Sequence, residues 1–103
     1  MAKIRVTKKN LREFLEQREE QHNIAGLCGS AGKCPIAQML VDQGARVASV
    51  DEDSYQYLPK GKHEHIRREL PLWARKFVDK IDATGGYREI IPPSTALSVL
   101  ETC

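Results

Sequence analysis

The 103-residue chain is poor in aromatics, poor in cysteine and without any long apolar run. Aromatic residues make up 6% of it, with a single tryptophan, so its core must rest mainly on aliphatic side chains. No apolar stretch approaches the roughly 20 residues that a membrane-crossing helix needs, so no membrane partner of that kind is expected. The start, Met1-Ala2-Lys3-Ile4-Arg5, lacks the apolar centre of a secretory signal. Three cysteines, an odd number, do not make a disulfide framework and predict a reducing, cytoplasmic setting. Neither sign of charge dominates: 16 basic and 14 acidic side chains leave +2. The length excludes an eight-unit barrel or a dinucleotide-binding domain with a partner domain. What is present, 41% hydrophobic residues, suffices for one core, and a single domain over residues 1–103 is expected.

The hydrophobic pattern predicts an α+β fold, with about three helices packed on a small, mainly antiparallel sheet. Ile4 and Val6 suggest a short first strand. Thr7 is placed to cap a helix over residues 8–21, where Leu11, Phe14 and Leu15 form one stripe. Residues 23–33 hold three glycines and read as a loop. Cys34-Pro35 opens a second, largely apolar helix that Gly44 stops. Residues 46–50 read as a buried strand, turned at Asp51-Glu52-Asp53 into a return strand over 54–58. After Pro71, Trp73, Ala74, Phe77, Val78 and Ile81 extend an apolar stripe begun at Leu70, with Trp73 and Phe77 expected to anchor the core beside Leu40. Tyr87 to Ile91 suggests a further strand. Residues 94–100 alternate as a strand does; Ser94 capping a last helix is the alternative, and the strand is preferred.

Several groupings could carry chemistry. The segment from Gly26 to Cys34 looks at first like a phosphate-binding loop, but Leu27 stands where the first glycine is needed. Cys34 replaces the magnesium-binding hydroxyl, and Pro35 removes a backbone donor. An ordinary flexible connection is the simpler reading. His63 and His65 would share one side of a strand and, with Cys28 and Cys34, could complete a zinc site. Their spacing matches no established zinc motif, so no metal and no cofactor is expected, with those four residues as the alternative. Cys28 or Cys34 as a reactive thiol lacks an orienting third residue.

Basic side chains cluster twice. Lys3, Arg5, Lys8, Lys9 and Arg12 run without an acid among them, and Lys60, Lys62, Arg67, Arg68, Arg75, Lys76 and Lys80 follow between a proline turn and the third helix. Lys8, Lys9, Lys60, Lys62, Arg67 and Arg68 are therefore the candidate binding residues, and Tyr55 and Tyr57 beside the second cluster could stack on bases. Acids at Glu64, Glu69, Asp79 and Asp82 interrupt that field.

Residues 34–100 contain a Cys34-Pro35-Ile36-Ala37 helix start, the valine-rich Val47-Ala48-Ser49-Val50 segment, a Leu70-Pro71 helix start and a proline-led final segment. In these the chain resembles small uncharacterised proteins of phages and bacteria. The resemblance implies no activity; it implies a phage or mobile-element accessory setting, where small proteins commonly act by binding a host protein. The expected function is thus a non-enzymatic binding module acting through contact with an unknown protein partner. A nucleic-acid-binding protein using the basic patches is one alternative, and a small zinc- or thiol-dependent enzyme is the other.

Overall fold

Thr7 starts the regular structure. Its side chain accepts a hydrogen bond from the Asn10 amide at 3.1 Å, and helix α1 (Lys8–Glu20) follows. These elements belong to a computed structural model that describes residues 4–103; Lys3 lies outside the described residues. Leu11, Phe14 and Leu15 are buried along one side of α1, as their spacing requires, and the Arg18 guanidinium lies 4.9 Å from the centre of the Phe14 ring. The expected strand at Ile4 and Val6 is absent. Val6 is buried, but the Arg5 backbone bonds to the Gln43 side chain instead of to a neighbouring strand.

Strand β1 (Gly26–Leu27) lies inside the segment expected to be a loop, and it pairs antiparallel with β5 (Ile90–Ile91). Helix α2 (Pro35–Asp42) begins with proline at its first position and is followed by Gly44 at φ +114°, as the sequence implies. Strands β2 (Ala45–Val50), β3 (Ser54–Pro59) and β4 (Ile66–Glu69) form a second antiparallel sheet in that order. The β2–β3 hairpin was legible, with Val50 opposite Tyr55 and Ala45 opposite Pro59. Strand β2 is not buried throughout, however: only Ala45 and Val50 are, and Val47 is half exposed because nothing covers the outer face of the sheet there.

Helix α3 (Leu72–Asp82) buries Ala74, Phe77 and Ile81 on its predicted stripe. Trp73 is only partly buried against the core, so it is no central anchor beside Phe77. Helix α4 (Pro93–Glu101) corrects the strand expected over 94–100. Ala96 and Leu100, four apart, are the positions it buries, and it lies along α1 and α3. The alternating Thr95, Leu97 and Val99 sit on its flanks, where partial burial satisfies either period. Pro92, not Ser94, is its cap residue, and Lys80 Nζ donates to the Thr102 carbonyl and hydroxyl at its far end. Among the described residues the fold is α+β, with four helices and two small antiparallel sheets where about three helices and one sheet were expected. The Cα radius of gyration, 12.6 Å, fits a compact chain of about 100 residues.

Phe77 is 1% exposed, so Phe77→Ala should destabilise the protein by about 3–5 kcal/mol in urea melts, with Trp73→Ala costing less. Equal losses would place Trp73 in the core. A Cβ on Gly26 would come within 2.5 Å of the Lys33 carbonyl oxygen and 2.8 Å of the Cys34 carbonyl carbon. Backbone cannot yield as a side chain can, so Gly26→Ala should cost about 1–3 kcal/mol; an unchanged melt would mean that the β1 strand moves freely.

Candidate functional site

The segment from residue 25 to 34 is heavily bonded, which opposes the flexible-connection reading. Six of its amides are already used. Ala25 donates to the Ile91 carbonyl, Leu27 to Lys33, Cys28 to Glu89, and Lys33 and Cys34 both to Ser30. The Gly29 amide donates to Asp82 Oδ1, so one of the amides a phosphate would use is taken by a carboxylate. Gly29 has φ +69°, a left-handed conformation that glycine tolerates best.

Both cysteines near this segment are buried and free. Cys28 Sγ lies 3.4 Å from the carbonyl oxygens of Ile81 and Gly85, at the end of α3. Burial and then the charge of Asp82 push its pKa up. Burial pushes the Cys34 thiol up to about 11. A cavity of about 110 Å³ beside Cys34 is lined in part by Asp51, Glu52 and Asp82, and acidic walls oppose a thiolate. Neither thiol is set up as a nucleophile.

His63 and His65 do not approach the cysteines. They are exposed in the turn between β3 and β4, whereas Cys34 shares its cavity with Val50 and Asp51 at the other end of the hairpin. The six residues of β3 separate the two places by about 20 Å at ~3.3 Å per residue. Among the described residues no group of three or more His, Cys, Asp and Glu is placed to hold a metal ion.

The basic residues are divided differently. Arg5 donates its amide to Gln43 Oε1 and accepts from Gln43 Nε2, both at 2.9 Å, which fixes the approach to α1 against the end of α2. Gln43 lies two residues before Ala45, and Ala45 pairs with Pro59, the residue before Lys60. These links place Arg5, and with it the start of α1 at Lys8 and Lys9, toward the side of the molecule where Arg46, Lys60 and Lys62 follow in the chain; Glu13 and Asp42 stand there too, lining one cavity with Asn10 and Gln43. Lys8 and Lys9 stand in the first turn of α1, where the helix dipole disfavours positive charge. Arg67 and Arg68 lie apart, further along β4 toward the acidic turn, where they line a cavity with Ser54, Asp53, Glu69 and Arg75. Sequence reasoning placed Arg75 in the second basic cluster but missed Arg46, which only strand pairing brings near the β3–β4 turn.

No protein-family model, no curated protein and no solved structure matches the chain, so a phage or mobile-element setting gains no support from comparison. Among the described residues no helix is long and apolar enough to cross a membrane.

Two measurements check this geometry. The Cys34 pKa of about 11 exceeds the ordinary 9.0, so between those values the folded chain keeps a proton that the unfolded chain has lost. Stability is therefore intact below pH 9 and should fall by up to about 2–3 kcal/mol as pH rises to 11. Cys34→Ala should lack this component, and parallel pH profiles for the two proteins would refute it. Gln43→Ala should cost about 1–2 kcal/mol and speed hydrogen exchange at the Arg5 amide; unchanged exchange would mean that Val6 alone holds the segment.

Proposed function

We propose that the chain is a non-enzymatic binding module whose contact surface is this basic end, with the phosphate backbone of a nucleic acid as partner. The observation that carries the reading is the gathering of Lys8, Lys9, Lys60 and Lys62, separated by some 50 positions in sequence, through the Arg5–Gln43 clasp and the Ala45–Pro59 pairing. Lysines in the first turn of α1 work against the helix dipole, a cost that phosphate would offset. The turn at the opposite end of the hairpin carries Asp51, Glu52 and Asp53, acids that would disfavour an anionic polymer there.

Contact with a protein partner is the second reading. Ile24 and Ile90, the latter 60% exposed, line one open cavity with Pro92 and Pro93, an apolar patch of the kind that partners cover.

Fluorescence anisotropy with labelled oligonucleotides tests the first reading. Neutralising about four phosphates should give a log–log salt slope near −3 to −4 on duplex DNA. Lys9→Glu and Lys62→Glu, in separate regions of the chain, should each weaken binding and flatten that slope. Absence of binding at low salt, or binding that salt leaves unchanged, overturns the reading.

A further inference from the structure

Strand β4 has a strand neighbour on one side only, since the second sheet runs β2-β3-β4. The Leu70 amide donates to the Asp53 carbonyl just before β3, so Leu70 turns its backbone toward that strand. Backbone direction alternates along a strand, and Arg68 and Ile66 therefore face β3 as well, opposite Tyr55 and Tyr57. The N–H and C=O groups of Arg67 and Glu69 point the other way, to the open edge. Their side chains share one face of the sheet, with Gln56 and Ser54 opposite them, and Arg67 Nη2 donates to Ser54 Oγ at 3.3 Å. Both residues are exposed. The register of β4 with β3 is unbroken and the strand holds no proline, so two of the devices that keep an edge from pairing are missing. Charge remains, one residue of each sign on that face, and it opposes self-pairing in some registers only.

We propose that β4 pairs antiparallel with β4 of a second copy of this chain, joining the two three-stranded sheets into one. Residues whose backbone groups face the edge must stand opposite one another, which leaves few registers. Centring on Arg67 or on Glu69 sets that residue against itself across the two-fold axis. Centring on Arg68 sets Arg67 against Glu69 of the second copy, and the symmetry does so twice. The same register brings Arg68 to its own copy on the other face, a like-charge contact that costs stability. Antiparallel pairing also places the turn holding Lys60 and Lys62 of one copy at the same end of the joined sheet as the Asp51-Glu52-Asp53 turn of the other. Three strand spacings, about 14 Å, separate those turns, so their attraction adds mainly at low salt. A four-residue edge makes a small contact, and the dimer is accordingly weak, with a Kd of roughly 10–100 µM.

Sedimentation velocity on the full chain, from about 5 to about 500 µM, tests the contact. The average mass should rise from monomer toward dimer across that range. Arg67→Glu and Glu69→Arg each turn both facing pairs into like-charge pairs, and each should weaken dimerisation at least about tenfold. Mixed one to one, the two variants should associate again about as tightly as the parent, because every facing pair then carries opposite charges. Arg68→Thr removes the like-charge contact at the axis and should tighten the dimer about threefold. A thermal melt of each variant confirms folding, and recovery on mixing could not come from chains that had merely unfolded. A mass that stays monomeric to the highest concentration overturns the proposal, as does a dimer that neither charge reversal weakens. Weakening by both reversals without recovery on mixing, or weakening by Arg68→Thr, overturns this register and the proposal with it.

Discussion

Hydrogen bonding of the backbone between residues 25 and 34 is the constraint on which the rest of the structure depends. Ala25, Gly26, Cys28 and Cys34 are buried, and a buried amide or carbonyl without a partner is costly. Each partner this segment finds ties down another element. Bonds to Glu89 and Ile91 hold β5, and Arg88 donates back to the Cys28 carbonyl. The Gly29 bond to Asp82 and the Cys28 thiol hold the end of α3. The Val50 amide, donating to the Ala31 carbonyl, ties in the hairpin. The same segment delivers Cys34-Pro35 to the start of α2, whose Ile36, Ala37, Met39 and Leu40 lie at the centre of the core. A stretch rich in glycine thus acts as a junction, because small residues let four elements approach one backbone.

That junction also sorts the charge. It holds the acidic turn of the hairpin close to Asp82, while α2 carries the chain eight residues away to Gln43. There the amide side chain engages Arg5, and the basic start of α1 meets the basic β3–β4 turn. Cys28 and Cys34 stay buried at the acidic end; Lys9, Lys60 and Lys62 stay at the other, exposed to solvent. The three-stranded sheet spans the distance between them, with the arginine cavity partway along its edge. A module that binds an anionic chain needs this kind of gradient more than it needs a deep pocket.

Sequence alone determined the elements whose signals are local. Thr7 as a cap, the stripes of α1 and α3, proline at the start of α2, Gly44 after its end and the hairpin turn are each set within one or two turns of chain, where backbone sterics and side-chain period act directly. Strands β1 and β5, of two residues each, had no such signal, since each exists only as the other's partner. Strand β4 was hidden because its charged residues line a sheet edge that has no buried face to impose a pattern. Helix α4 was misread because its weak periodicity takes its meaning from α1 and α3, on which it lies. The candidate site divides in the same way. The residue types, lysines and arginines in two runs, were legible as charge. Their regrouping, with the start of α1 turned toward the side of Lys60 and Lys62 and with Arg67 and Arg68 set apart beside Ser54 and Asp53, was decided by tertiary structure alone, because it follows from strand pairings and from hydrogen bonds between residues 38 positions apart.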